Sequence, residues 1–372
     1  LSKSARTLLL LAERLESQDA LDSVRNLLDR LQQLGLNANL LCISVPDTGV
    51  EDDRIIECPR LGHRWQTGLA VRSLRLHERP RRPELLHILD PSMAGVGLWI
   101  AEHWRLPYIQ TVDEFLGPQD RLRLSRRWCR KLLANSDELA YDLETHYGVP
   151  SDWISVAYPG IAVPNPTVSP GGADLLPPVP VIGTAGPLVP SSGFATFLNA
   201  ARRVLDAGID AEFVIAGEGE DEVDLRRRAD RLRIADRVTF TSQSLEAFRF
   251  WSVLDIYCLT SLVPTVGLSL ARAMAAGVPS IASEVVGLHG LIEHDVSGLF
   301  VPPDNSFALS ETILGLLKEP KRLERLGERG RAIVLQKYRP DNEAEQLRRI
   351  YLDALAEEVE MASVSRDLIP IR

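Results

Sequence analysis

No stretch of the chain approaches the ~20 consecutive apolar residues that a helix needs to cross a bilayer. The first apolar segment, TLLLLA at 7–12, is too short for the core of a secretory leader with its cleavage site. It reads as a buried strand, and a cytoplasmic location is the expectation. Cysteine is scarce: Cys42, Cys58, Cys129 and Cys258 are the only four in 372 residues. They form no C-x-x-C pair and have no clustered histidines beside them, so no metal site is expected. Four reduced, mostly buried thiols fit better. Positive charge is in deficit too. Lys and Arg number 42 against 51 Asp and Glu, for a net charge of −9. Nucleic-acid binders are more often basic, so no nucleic-acid partner is expected. No fixed-period repeat is visible.

What is present is alternation. In the first half, short apolar strands are predicted at 7–12, 38–45, 54–58, 85–89, 108–112, 132–136 and 153–157. Helices fit 19–34, 93–104, 121–131 and 137–147. In the second half, strands fit 179–185, 212–216, 237–241, 254–259, 278–282 and 298–301. Helices fit 192–207, 220–233, 244–251, 267–276 and 304–317, and a charged helical stretch follows at 319–360. Strands alternating with helices predict parallel sheets covered on both faces. Between the halves, VPNPTVSPGGADLLPPVP at 163–180 holds six prolines and a Gly pair. That density of proline suits neither a helix nor a central strand, so it reads as a linker. Two doubly wound domains are expected, 1–162 and 181–340, with a tail over 341–372. Their ligands would bind where the strands end.

Several segments carry more than a fold. VIGTAGPLVPSSGFATFLNAARRVLDAG (181–208), AEFVIAGEGEDEVDLRRRA (211–229), RVTFTSQ (237–243), LDIYCLTS (254–261), PTVGLSLARAMAAGVPSIAS (264–283) and GLHGLIEHDVSGLFVPPDNSFALSETILGLL (287–317) occur in that order. So do LLHILDP, PYIQTVDEF, LLANSDELAYDLETHYGVP and ISVAYPGI in the first half. Together they resemble the retaining, nucleotide-sugar-dependent glycosyltransferases of the glycogen synthase and sucrose-phosphate synthase type, family 4 or group 1. The resemblance implies an α/β GT-B fold: two Rossmann-like domains facing across a cleft, with the C-terminal helix crossing back to the first. It implies a nucleotide diphosphate sugar as donor, a glycan or lipid-linked hydroxyl acceptor, and no other cofactor. It places donor and phosphate contacts at Gly186, Ser192, Gly217, Gly219, Val266, Gly267 and Leu268, with Arg272 a candidate contact beside them.

The resemblance is incomplete where the family carries charge. Its two glutamates, eight positions apart, align with Pro264 and Arg272. Its diphosphate-binding Arg and Lys align with Pro187 and Ser192, and its first-domain His aligns with Asp113. ERLESQDAL at 13–21 replaces its acceptor-side glycine turn. Charge-assisted hydrogen bonds to phosphate contribute roughly 1.5–3 kcal/mol each, so the missing cations matter. Arg272 is one replacement to consider; pairing with a nearby carboxylate is the other.

Other residues have two readings each. Asp113 is the catalytic candidate, with Asp90 and Glu114 near the same strand ends; loop carboxylates are also common without a role. Gly217 and Gly219 suit either a nucleotide or a plain tight turn. Ser191 and Ser192 fit the N-cap of the helix at 194–207 better than a phosphate contact. Arg123, Arg126, Arg127 and Arg130 fall at i, i+3, i+4 and i+7. On the expected helix they form one face, either solvated or suited to peripheral contact with anionic lipid. His87 reads as a core residue of its strand. His63, His289 and His294 lack metal spacing, and Glu293 with His294 lies near the expected donor turn. Three functions stay open: an active hexosyltransferase, a non-catalytic nucleotide- or sugar-binding relative, and a scaffold for a protein partner.

Overall fold

The computed structural model describes residues 6–15, 17–47, 52–62, 68–70, 82–117, 120–161, 179–242, 247–356 and 368–370. Residues 163–178 of the expected linker, and His63, lie outside them. The chain divides into two compact units, one drawn from Leu1–Gly160 and Pro340–Arg372, the other from Ile161–Arg339.

The first unit runs β1 (Arg6–Leu11), α1 (Gln18–Gln33), β2 (Leu36–Cys42), β3 (Ile55–Glu57), β4 (Leu85–Ile88), α2 (Ala94–Trp104), β5 (Tyr108–Val112), β6 (Arg123–Ser125), β7 (Cys129–Ala134), α3 (Asp137–Thr145) and β8 (Ile154–Val156). Seven of these strands form one parallel sheet in the order β3-β2-β1-β4-β5-β7-β8. The strands are near-continuous apolar runs because helices cover both faces; residues 7–11 of β1 are all buried. Helix starts are set by serines. The Ser17 hydroxyl accepts from the Ala20 amide at 3.2 Å, and that of Ser136 from the Leu139 amide at 3.1 Å.

The second unit runs β9 (Val181–Ala185), α4 (Phe194–Asp206), β10 (Glu212–Ala216), α5 (Glu222–Arg231), β11 (Val238–Thr241), α6 (Ala247–Ser252), β12 (Ile256–Leu259), α7 (Leu268–Ala275), β13 (Ser280–Ser283), β14 (Leu299–Val301), α8 (Ser306–Leu317) and α9 (Pro320–Lys337). Its six strands pair in parallel in the order β11-β10-β9-β12-β13-β14. The chain therefore changes winding direction between β9 and β12, which is where open α/β sheets gather ligands at their C-terminal edge.

The last helix, α10 (Pro340–Ala356), belongs to the first unit. Ala344, Leu347, Ile350, Tyr351 and Ala354 join the core formed by Leu8, Leu10, Leu28 and Leu40. Arg30 pairs with Asp341 at 2.8 Å, and the Tyr158 amide donates to Gln346 Oε1 at 3.0 Å. Tyr351 reaches the sheet: its hydroxyl lies 2.7 Å from Nδ1 of buried His87, whose Nε2 lies 2.9 Å from Thr111 Oγ1. His87 is thus a satisfied core residue of β4, and burial holds its pKa down to about 3.

One expected helix is absent. Residues 121–131 form β6, a turn and the start of β7 instead. The arginine spacing matched a helix, but the apolar residues did not. Leu122 and Leu124 are buried and alternate with exposed Arg121 and Arg123, which is the period of a strand. β6 gains an antiparallel partner in β15 (Leu368–Pro370). The four arginines consequently share no helix face. Arg123, Arg126 and Arg127 are exposed, whereas Arg130 is half-buried and its Nη1 donates to the Arg127 carbonyl at 3.1 Å.

Candidate functional site

In the second unit the loops after β9, β10 and β12 are tied into one floor. The Gly186 amide donates to the Ala216 carbonyl at 2.9 Å, Gly217 to Thr241 at 2.9 Å, Leu188 to Glu218 at 2.8 Å, and Leu262 to Ser191 at 2.8 Å. Glycine makes this packing feasible. Gly217 has φ +156°, and a Cβ there would stand 1.9 Å from the Gly186 carbonyl oxygen. Gly193, with φ +71°, would place one 2.0 Å from the Thr260 carbonyl oxygen. Gly219 comes similarly close to Leu188. The structure therefore brings Gly186, Gly217 and Gly219 together at the strand ends.

Val266, Gly267 and Leu268 start α7. Gly267 is its N-cap, at φ +69°, with no side-chain cap hydrogen bond, so backbone amides rather than a capping side chain define this helix end. In the second helical position, Ser269 Oγ lies 2.8 Å from the hydroxyl of buried Tyr257, which is also 3.2 Å from the Ala185 carbonyl oxygen just before Gly186. Burial raises the Tyr257 phenol above its ordinary pKa, and the positive charge of Arg272 acts in the opposite direction. Arg272 is exposed on the face it shares with Ser269, three residues earlier.

Ser192 differs from its expected role. Residues 190–192 form a 3-10 turn, and Gly193 in the left-handed region is the N-cap of α4. The Ser192 hydroxyl instead donates to the Pro187 carbonyl at 2.6 Å, so neither Ser191 nor Ser192 caps the helix. The turn holding Glu293 and His294 is internally bonded. The Glu293 amide donates to Ser297 Oγ at 2.9 Å, and His294 Nδ1 accepts from the Phe300 amide at 3.0 Å. His289 stands 3.8 Å from Glu284.

In the first unit the C-terminal strand edge is acidic. Glu13 follows β1, Asp90 follows β4, and Asp113 and Glu114 follow β5. Asp90 Oδ1 accepts from the Ser92 amide at 2.9 Å, and the Ser92 hydroxyl donates to Glu13 Oε2 at 2.7 Å. Burial pushes the Asp113 carboxyl up to about 6, and the charges of Glu114 and Asp90 add to the rise. Among the described residues no group of three or more His, Cys, Asp or Glu could hold a metal ion. No helix among them is long and apolar enough to cross a membrane.

Tyr257, Ser269, Glu13 and Ser92 were not among the expected site residues. A tyrosine inside the apolar strand DIYCL is the available clue for the first pair, because a buried phenol needs a partner. The Glu13–Ser92 bond joins residues from two strand ends, which linear sequence does not show.

Two units of this kind, each built on a doubly wound parallel sheet, define the GT-B class of architecture. Anabaena HepE in complex with UDP and glucose superposes with a TM-score of 0.74 at 16% identity, over 93% of this chain and 99% of that one. Sucrose-phosphate synthase from Thermosynechococcus elongatus gives a TM-score of 0.75 at 16% identity, over 94% and 99%. In sequence, residues 22–163 match the family Glycosyltransferase Family 4, and residues 179–319 match Glycosyl transferases group 1. The chain thus carries two glycosyltransferase domains, one of Family 4 in its first half and one of group 1 in its second. Phosphatidyl-myo-inositol mannosyltransferase of Mycobacterium leprae is 25% identical over 341 residues, 83% of this chain and 84% of that protein. Alpha-D-kanosaminyltransferase of Streptomyces kanamyceticus is 28% identical over 174 residues, 46% of this chain and 45% of that protein. N-acetyl-alpha-D-glucosaminyl L-malate synthase of Bacillus anthracis is 28% identical over 150 residues, 40% of this chain. Against these last two, the match spans less than half of the relative's length.

Proposed function

We propose that the second unit binds a nucleotide diphosphate sugar over the loops following β9, β10 and β12, and that the chain transfers the hexosyl group to a hydroxyl acceptor. The carrying observation is the glycine floor at the winding reversal, which presents backbone next to the start of α7. Backbone amides at a helix N-terminus suit an anionic diphosphate. The charge that develops on the departing diphosphate is what such a site must stabilise. Solved HepE complexes hold UDP and glucose, or UDP-glucose, which makes UDP-sugars the first ligands to test.

Arg272 supplies the side-chain charge in this reading. Arg272→Ala should weaken donor affinity about 10- to 100-fold, the loss of one charge-assisted contact of ~1.5–3 kcal/mol. Unchanged affinity in a calorimetric titration would remove Arg272 from the site.

A second reading rests on Ser192. Its hydroxyl is bonded to the Pro187 carbonyl, and Pro187 and Pro264 offer no cation, so the floor favours binding without efficient turnover. A thermal-shift panel of UDP, GDP, ADP and their sugars separates the possibilities. A ligand at a hundred times its dissociation constant adds about 2.7 kcal/mol. A shift with transfer to an acceptor supports the transferase, and a shift without transfer supports the non-catalytic binder. No shift with any of them leaves the scaffold reading.

We assign the acceptor side to the first unit, with Asp113 as the group that accepts or orients the hydroxyl proton. A base with a pKa of about 6 is deprotonated at neutral pH and loses function as pH falls through 6. Asp113→Asn should lower kcat about 100-fold or more, the usual scale of general-base catalysis, and flatten the acidic limb of the profile. A variant that keeps that limb would show that another group produces it.

A further inference from the structure

The opposite edge of the first sheet carries a second feature. Strands β1, β4, β5 and β7 are consecutive neighbours, so their starts lie side by side. Arg6 opens β1, Arg82 and Glu84 lead into β4, Arg105 leads into β5, and Arg130 is the second residue of β7. These five residues line one pocket of about 400 Å³, with Pro83, Leu106 and Pro107 between them and Ala354 and Leu355 of α10 along a wall. That volume lies within the range of small-ligand sites.

The charge in the pocket is unbalanced. Among the described residues four guanidinium groups line it against one carboxylate. Glu84 is engaged by Arg6. Arg82 donates to the carbonyl of Trp104 at the end of α2, which satisfies its hydrogen bonding without neutralising its charge. Arg105, in the left-handed C-cap position of the same helix, is exposed. Arg130 spends Nη1 on the Arg127 carbonyl, and its Nη2 is buried with no hydrogen-bond partner. An orphaned buried guanidinium nitrogen is costly. An anion held in the pocket offsets the surrounding charge.

We propose that this pocket binds a phosphate-bearing anion, at a site on the edge opposite Glu13, Asp90 and Asp113. Guanidinium forks match the geometry of phosphate oxygens, and several converge here on one concavity. The site is independent of the donor reading, because every residue in it belongs to the first unit.

The probe is inorganic phosphate, titrated calorimetrically into the full chain at low ionic strength with UDP in excess throughout. Saturable binding is expected, weakened about 10-fold by Arg105→Gln and by Arg130→Gln, and unaffected by Arg227→Gln on α5 of the second unit. Arg105 is exposed, so its substitution decides the matter even where Arg130→Gln disturbs folding. Cosedimentation with phosphatidylcholine vesicles containing phosphatidic acid distinguishes the sources of the phosphate. Vesicle binding lost in Arg105→Gln identifies a lipid headgroup; phosphate binding without vesicle binding identifies a soluble phosphate ester. Binding that does not saturate in either assay, or that ignores both substitutions, overturns the site.

Discussion

Gly217→Ala should abolish measurable UDP-sugar binding and lower the melting temperature by about 6–12 °C, with Gly193→Ala close behind. The added methyl at 217 would meet the Gly186 carbonyl oxygen at 1.9 Å, and at 193 the Thr260 carbonyl oxygen at 2.0 Å. Neither neighbour is a side-chain tip that could rotate away. Both are backbone in loops joined by the Gly186–Ala216 and Leu262–Ser191 hydrogen bonds. Overpacking costs ~1–3 kcal/mol, and a side chain at positive φ adds ~1–2 kcal/mol. About 3 kcal/mol in a domain of this size corresponds to that thermal shift, at ~2–4 °C per kcal/mol. Displacing the floor by ~1 Å suffices for a ~100-fold functional loss. Gly208→Ala separates the two contributions. Gly208 also has positive φ, at +82°, yet nothing lies within 4 Å of its added Cβ. It should cost only ~1 kcal/mol and leave nucleotide affinity unchanged. If Gly217→Ala binds UDP-sugars like the unsubstituted chain, the floor is not the donor site.

The same contrast explains what linear sequence showed and what it hid. Strands such as TLLLLA and LLHIL were legible because a parallel sheet buried on both faces demands uninterrupted apolar runs, and those runs are local. The helices expected at 19–34 and 137–147 were legible for the same reason, since apolar spacing along one helix is local; the Ser17 and Ser136 caps that begin them, each accepting from an amide three residues on, came only with the structure. The segment 121–131 was misread because charge spacing outweighed apolar spacing. Leu122 and Leu124 carried the true period, and the strand partner lies more than two hundred residues away in β15. Ser192 failed similarly. Its position before a helix suggested a cap, but Gly193 could adopt the left-handed conformation and take that place. The glycines of the expected donor floor were named from the resemblance. Why they must be glycine depends on carbonyls of Gly186, Leu188 and Thr260 brought close by tertiary structure, and spacing does not encode that. The arginine pocket was hidden most completely, because its four guanidinium groups come from four separate strand starts.

His87 and Glu343 should give the first unit opposite pH dependences, about 5 kcal/mol in full extent for His87 and about 3 kcal/mol for Glu343. His87 is buried between Tyr351 and Thr111, and its pKa falls from an ordinary 6.5 to about 3. The unfolded chain therefore takes up a proton below pH 6.5 that the folded chain refuses. Its contribution to stability is complete above 6.5 and is lost as pH falls toward 3, by ~1.4 kcal/mol per unit. Glu343 on α10 is the reverse. Burial raises its carboxyl from 4.5 to about 7, while a hydrogen bond from the Gly160 backbone lowers it in part. The folded chain holds that proton where the unfolded chain releases it. Its contribution is complete below 4.5 and is lost as pH rises through 7. In the unsubstituted chain the two trends overlap and partly cancel between pH 4.5 and 6.5, so a single unfolding profile conceals both. Paired denaturant titrations separate them. His87→Gln should be less stable than the parent at pH 7, because it breaks the bonds to Tyr351 and Thr111, and the gap should narrow by about 3 kcal/mol by pH 4. Glu343→Gln should match or exceed the parent at pH 8, and lose that advantage by pH 4.5. Parallel profiles for parent and variants would mean that neither group is held in the protonation state that its burial imposes.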